Sequence, residues 1–155
     1  MKDRKRETFV YHGLGFPITL VNVPMKKMLG EWFIDINMNK LMLFALKFLA
    51  YKPARLTRQE LRFIRTFFQM STTEFARKLG ISHAAVVKWE KGQRVISRPL
   101  EFCIRVQILL YLEAKDKEFH ELCKQIQLED LSKSSSKKIV PLKVDASTED
   151  LKIAL

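Results

Sequence analysis

Residues 71–92 read STTEFARKLGISHAAVVKWEKG, and this stretch carries start and stop signals for two short helices. Ser71 with Glu74 three residues later has the capping-box pattern, and Ser82 is a favourable N-cap for a second helix. Gly80 lies where the first helix must end and the backbone must become left-handed. The sequence therefore predicts two helices joined by a short turn, and such a turn leaves the second helix free to enter the major groove of DNA.

Positive charge is concentrated around this stretch. The 155-residue chain has a net charge of +11, and residues 52–98 contain eleven basic and three acidic residues. Most of the excess therefore lies on the predicted helix-turn-helix, which favours a polyanionic partner, nucleic acid before membrane. The alternative is an ordinary solvated basic surface.

The sequence before the two helices predicts a charged arm and a small β element. Residues 1–8 read as a mobile arm, and residues 9–36 favour short strands that form a small antiparallel sheet. An apolar helix is expected from Asn37 or Asn39 to about Tyr51, buried on more than one side.

Further helices are predicted around the two central ones, and a polar tail after them. One helix begins at Thr57, which forms a second capping box with Glu60, and another begins at Ser97. Residues 139–144 are compatible with a strand or with a disordered segment. The expected organisation is a basic arm and small β element (1–36), a helical helix-turn-helix domain (37–128, motif 71–92), and a linker and tail (129–155).

Several classes of function are disfavoured. No apolar run reaches the roughly 18 to 20 residues of a membrane helix, and no signal peptide follows the basic start, so we expect a cytoplasmic protein without a membrane partner. Cys103 and Cys123 are expected to be buried, reduced thiols. Neither a metal-ligand set nor a nucleophile–base pair is visible, so we expect no metal, no cofactor and no enzymatic activity.

The stretch Arg65–Pro99 resembles the lambda-repressor-like (Xre/Cro-type) helix-turn-helix family. The runs FARKLG at 75–80 and WEKGQR at 89–94 match the second helix of that family and the exit from its recognition helix. The resemblance implies a mostly α fold, a lambda-repressor-like helix-turn-helix bundle with a small N-terminal β element. The region before the motif is similar in layout to MqsA- and HigA-type antitoxins, which bind small toxins and repress their own operons.

Helix geometry and the resemblance together assign roles within the motif. Val86 and Trp89 are three residues apart and should face the core, which turns the other side of the second helix outward. The resemblance also aligns Arg65 and Glu90 with a buried ion pair of some relatives. The residues expected to contact DNA are Ser71, Thr72, Thr73, Ser82, His83, Ala84, Val87, Lys88, Lys91, Gln93 and Arg94.

Two functions are consistent with the sequence. The first is a sequence-specific DNA-binding repressor, dimeric on a near-palindromic operator, that is the antitoxin of a toxin–antitoxin pair. The second is a protein-interaction module that mainly neutralises a toxin, with DNA binding secondary. The homodimer surface is left open among the helix at 40–51, the helix at 100–112 and the N-terminal sheet.

Overall fold

The computed structural model describes residues 5–112, 141–148 and 150–153. Within these ranges 45% of the residues are helical and 23% lie in strands, in five helices and one five-stranded mixed sheet. The expected mostly α bundle is therefore wrong, and the fold is α/β. The chain divides into two compact units, one comprising residues 1–44 and 140–155 and the other residues 45–139.

The first unit contains the sheet. Its strands are β1 (Lys5–Tyr11), β2 (Ile18–Met28), β3 (Glu31–Ile34), β4 (Leu142–Asp145) and β5 (Lys152–Ile153). They follow the order β1-β2-β4-β5, with β3 pairing β2 as well. All pairs are antiparallel except β2 with β4, which are parallel.

A bulge in β2 keeps the same face of this strand buried along its length. Ile18 and Leu20 are buried, and so are Val23 and Met25, so the alternation changes phase between them. The pairing register with β1 shifts at the same place, and Asn22 there has a φ of 55°. An extra residue in one strand restores the buried face after such a shift, and Asn tolerates the left-handed conformation it needs.

Residues near both ends of the chain contribute strands to the sheet. Residues 5–8, expected to be a mobile arm, belong to β1, and residues 142–145 form β4. Hydrophobic alternation explains β4, because Leu142 and Val144 are buried while Lys143 between them is exposed. Of the two alternatives left open for residues 139–144, the strand is therefore realised from Leu142 onward.

The helices are α1 (Met38–Tyr51), α2 (Arg58–Phe67), α3 (Thr72–Leu79), α4 (His83–Glu90) and α5 (Arg98–Tyr111). The backbone N–H of Lys40 donates to Asn37 Oδ1 at 3.1 Å, so Asn37 rather than Asn39 caps α1. The Thr57–Glu60 capping box at α2 is confirmed, and Pro99 lies in the first turn of α5. No helix in the described part of the chain combines the length and the apolar character that crossing a bilayer demands.

The second unit has an apolar core to which α2, α3, α4 and α5 all contribute. The residues that fill it are buried almost completely: Leu61, Phe63, Ile64, Phe75, Val86, Trp89, Ile104 and Ile108. Cys103 is exposed on α5, so the expectation that it is buried is wrong. Cys123 lies outside the described residues.

Candidate nucleic-acid interface

The start of α3 is fixed by a reciprocal cap. The Glu74 backbone N–H donates to Ser71 Oγ at 3.2 Å, and the Ser71 backbone N–H donates to Glu74 Oε2 at 2.7 Å. These bonds confirm the predicted capping box. The hydrogen bond from the Ser71 backbone N–H, followed by that from its hydroxyl, holds the pKa of the Glu74 carboxyl below its usual range.

The turn between α3 and α4 follows the predicted pattern. Gly80 ends α3 with a φ of 66°, and the Ile81 backbone N–H closes the helix by donating to Ala76 O at 3.0 Å. Ser82 then caps α4, since its Oγ accepts from the Ala85 backbone N–H at 3.3 Å. Only three residues therefore separate the two helices.

The helix α4 has one buried and one exposed side. Val86 and Trp89 are buried, as predicted, and Ala85 is buried with them. On the opposite side His83, Ala84 and Lys88 are exposed. Val87, also expected to face outward, is only half-buried. The side chains available for contact are therefore those of the first turn together with Lys88.

The beginnings of the two helices are held together by a contact that sequence reasoning missed. His83 Nε2 lies 2.9 Å from Thr72 Oγ1, and each residue is the first of its helix. Thr72 and His83 were each predicted to contact DNA. No sequence pattern indicated that their side chains contact each other. The pair therefore places the N-terminal ends of α3 and α4 side by side, and helix N-termini are ends that favour negative charge.

The three arginines of α2 bind groups at the end of α4. Arg65 forms a two-pronged ion pair with Glu90, at 2.6 Å and 3.0 Å, and Arg62 reaches the same carboxylate at 3.3 Å. Arg58 Nη1 donates to the Lys91 carbonyl at 3.2 Å. The expected Arg65–Glu90 pair is confirmed, and the three arginines together fix the end of α4 against α2.

Four further charged residues are buried in the second unit. Lys52 Nζ lies 2.9 Å from the Glu60 carboxylate, and Arg105 Nη2 lies 2.8 Å from Glu101 Oε1. The guanidinium of Arg105 also donates to backbone carbonyls of residues 50–54, and Arg55 pairs with Glu101 at 2.6 Å. These contacts tie the loop before α2 to α5. No local pattern in the sequence distinguishes these basic residues from those on the surface.

The positive charge available to a partner is therefore smaller than the sequence suggests. Four of the eleven basic residues between 52 and 98 are paired with carboxylates, namely Lys52, Arg55, Arg62 and Arg65. By contrast, five exposed basic residues form no ion pair or hydrogen bond through their side chains with any described residue: Arg77, Lys78, Lys88, Lys91 and Arg94. The available charge thus lies on α3, on α4 and just after α4.

The remaining predicted contact residues lie at the starts of α3 and α4 and just after the end of α4, and all but Thr72 are exposed. Ser71 and Thr73 lie at the start of α3, with Thr72 half-buried between them, and Ser82 lies at the start of α4. Lys91, Gln93 and Arg94 follow the end of α4, where the Gln93 backbone N–H donates to Lys88 O at 2.8 Å. The hydroxyl of Thr73 at the start of α3 and the cations after the end of α4 suit phosphate oxygens, whereas the hydroxyl and backbone N–H of Ser71 are used in the cap with Glu74.

No protein-family model, curated protein or solved structure matches the chain. Among the described residues there is also no group of three or more His, Cys, Asp or Glu side chains placed to hold a metal ion.

Proposed function

We propose that this chain is a sequence-specific DNA-binding transcriptional regulator of the repressor type, which inserts the first turn of α4 into the major groove. The observation that carries the proposal is that α4 has two different sides. Val86 and Trp89 are buried in the core of the second unit, while His83, Ala84 and Lys88 are exposed on the other side. The resemblance of residues 65–99 to lambda-repressor-like regulators supports the same assignment.

The exposed side of α4 offers a small set of base contacts. Lys88 has the length and charge to donate to guanine O6 or N7, and the methyl of Ala84 suits a thymine methyl. His83 can contact a base edge or a phosphate, and its bond to Thr72 fixes where its ring lies. With so few direct contacts, part of the specificity is expected to come from DNA shape.

Phosphate contacts account for the rest of the proposed interface. Thr72 and Thr73 provide hydroxyls at the start of α3, and Lys91 and Arg94 provide cations after α4. Ser71, also expected to contact DNA, already donates its hydroxyl and its backbone N–H to Glu74. Such contacts set the register of a protein on the duplex without reading sequence. On a near-palindromic operator, two copies would place their α4 helices about 34 Å apart.

The first experiment is a duplex-binding titration. A preferred site is selected from random-sequence DNA with the full chain, and affinity is measured by fluorescence anisotropy for Lys88→Ala and His83→Ala. Each variant is expected to bind this site about tenfold more weakly, since one good base contact contributes about 1–3 kcal/mol. Lys91→Ala should weaken binding to all DNA sequences by a similar factor. The slope of log affinity against log salt concentration should fall by an amount that corresponds to about one released counterion.

The matched control is Lys143→Ala, which removes the same charge from an exposed position of β4. It should change the affinity less than about twofold, because it lowers only the net charge. If Lys88→Ala and His83→Ala both bind like the unmodified chain, α4 does not enter the groove and the proposal is wrong.

The antitoxin role stays a prediction from the resemblance. The adjacent reading frame tests it, because a small toxin gene beside this one is required. Co-purification that recovers no protein partner from cells carrying both genes would count against that role while leaving the DNA-binding proposal unaffected.

A further inference from the structure

The guanidinium of Arg58, the first residue of α2, carries a charge that no described carboxylate balances. Its Nη1 donates to the Lys91 carbonyl at 3.2 Å, and no other hydrogen bond or ion pair joins it to a described residue. A carbonyl accepts a hydrogen bond without cancelling the charge. By contrast, Arg62 and Arg65 on the same helix bind the carboxylate of Glu90. The exposed Arg58 therefore keeps both its charge and several N–H donors for a further acceptor.

The stability of α2 does not explain a positive charge at this position. The helix dipole disfavours a cation in the first turn of a helix. The start of α2 is already fixed by the capping box of Thr57 and Glu60, in which Arg58 takes no part. Its hydrogen bond instead goes to the end of α4, where the last carbonyls of a helix have no partner within the helix. The role of Arg58 therefore lies at the end of α4 and not in its own helix.

A glycine lets the Arg58 side chain lie against the backbone that follows α4. A Cβ added at Gly92 would lie 3.0 Å from Arg58 Nη1 and 3.3 Å from its Cδ. Gly92 also has a φ of 72°, a value that favours glycine. The same stretch of backbone is fixed by the Gln93 N–H, which donates to Lys88 O at 2.8 Å. The guanidinium therefore has a defined place beside the segment that leads from α4 to Arg94.

We propose that Arg58 is a further DNA-binding residue, whose guanidinium donates to a backbone phosphate of the duplex beside the end of α4. It adjoins Lys91 and Gly92 there, and Lys91 with Arg94 supplies the phosphate-binding cations of the proposed interface. A guanidinium suits this place because it can donate to a carbonyl with one N–H and to a phosphate oxygen with others. The inference rests on the proposed function and adds to it a contact from α2, outside the motif at 71–92.

The Arg58 side chain is held in place before any DNA binds. A long side chain that is ordered only on binding loses rotamer freedom, which weakens the association. Arg58 is already held by the Lys91 carbonyl and by its contact with Gly92, so it loses less freedom. The exposed Lys91 side chain makes no hydrogen bond with a described residue. Arg58 is therefore expected to contribute at least as much to duplex affinity as Lys91 does.

The test is fluorescence anisotropy of the full chain on the selected duplex and on an unrelated duplex, over a range of salt concentrations. A phosphate contact reads no sequence, so Arg58→Ala should weaken binding to both duplexes by a similar factor of about five- to tenfold. The slope of log affinity against log salt concentration should fall in magnitude by about 0.9, the value for one phosphate contact. Arg58→Lys keeps the charge and should keep this slope, with a smaller loss of affinity.

Two variants control for a merely structural role and for net charge. Arg62 is exposed one turn further along α2 and also binds the end of α4, but through the Glu90 carboxylate. Arg62→Ala should therefore lower the salt slope less than Arg58→Ala does. Lys143→Ala removes one charge from exposed β4 and should leave the slope unchanged. If Arg58 only held α4 in place, Arg58→Ala would weaken the selected duplex more than the unrelated one and would leave the slope as it is.

Gly92→Ala tests the same contact without removing a charge. The added Cβ must displace the Arg58 guanidinium, and the φ of 72° also strains alanine. Combining the two substitutions separates these effects. Gly92→Ala should weaken binding to the unrelated duplex more in the chain that has Arg58 than in the Arg58→Ala chain. Equal losses in both, with each variant folded by circular dichroism, would mean that only the backbone is affected and would contradict the proposal.

The results distinguish this inference from the proposed function. An Arg58→Ala variant that keeps the salt slope of the unmodified chain overturns the inference. If Lys88→Ala and His83→Ala weaken binding and Arg58→Ala does not, the inference alone is wrong. If Arg58→Ala lowers the slope while those two variants bind normally, the phosphate contact is supported and the entry of α4 into the groove is refuted. A chain that binds neither duplex refutes both.

Discussion

Glu74 contributes to the start of α3 through its charge as well as its hydrogen bonds. Its carboxylate accepts from the Ser71 backbone N–H and hydroxyl, which lowers its pKa in the folded chain. It also lies in the first turn of the helix, where negative charge is favoured by the helix dipole. The folded state therefore prefers the ionised form more than the unfolded state does.

The lowered pKa fixes the direction of a pH effect. The stabilisation from ionised Glu74 is fully present above the usual range of a glutamate pKa and is lost as the pH falls through the lowered value. Glu74→Gln keeps the hydrogen-bonding shape but removes the charge. Its melting temperature should lie below that of the unmodified chain at neutral pH, and this difference should shrink on acidification.

The measurement for Glu74→Gln is thermal unfolding followed by circular dichroism across the acidic range. Asp150→Asn, which removes one negative charge from an exposed residue that belongs to no described helix, controls for net charge and should show a smaller difference. A deficit in Glu74→Gln that is constant with pH would contradict the assigned role of the charge.

The α3–α4 pair depends on a short turn as much as on its two helices. Gly80 has a φ of 66°, a value that costs residues with a Cβ more than it costs glycine. The turn is otherwise open, because nothing lies within 4 Å of a Cβ added at this position. Any loss of stability on substitution of Gly80 is therefore expected to come from the backbone conformation and not from a clash of the new side chain.

Gly80→Ala is expected to lower the free energy of unfolding by about 1 kcal/mol. Gly80→Asn is the matched control, since Asn tolerates the left-handed conformation and should cost less. Equilibrium unfolding in urea measures both. Equal losses in the two variants would show that the added atoms matter through contacts and not through the backbone.

At the scale of the whole molecule, the two ends of the sequence meet in one sheet. The parallel pairing of β4 with β2 places Leu142 opposite Ile18 and Val144 opposite Leu20, and all four side chains are buried. The first compact unit is therefore assembled from residues at both ends of the chain, with the second unit between them in sequence. Its stability depends on a segment that composition alone marks as a tail.

Leu142→Ala should cost about 2–5 kcal/mol of unfolding free energy, the usual range for truncating a buried leucine. Lys143→Ala, at the exposed neighbouring position of the same strand, should change it by less than about 0.5 kcal/mol. Denaturant unfolding of the full chain compares the two. A Leu142→Ala variant as stable as Lys143→Ala would mean that β4 contributes little to the sheet.

The sequence by itself determined the features that depend on neighbours along the chain. The caps at Thr57, Ser71 and Ser82, the left-handed Gly80 and the inward positions of Val86 and Trp89 all follow from bonds or spacings of at most four residues. Such features are predictable because the interacting groups are close in sequence whatever the rest of the chain does. The Arg65–Glu90 pair was also anticipated, but through a family resemblance.

Only the tertiary structure decided the features that depend on distant residues. The parallel β2–β4 pairing made the fold α/β, and the pairing of basic residues with Glu60, Glu90 and Glu101 reduced the charge available to a partner. The His83–Thr72 contact likewise joins two helices that local signals describe separately. These outcomes depend on which surfaces meet after the chain has folded, and a local pattern carries no information about that choice.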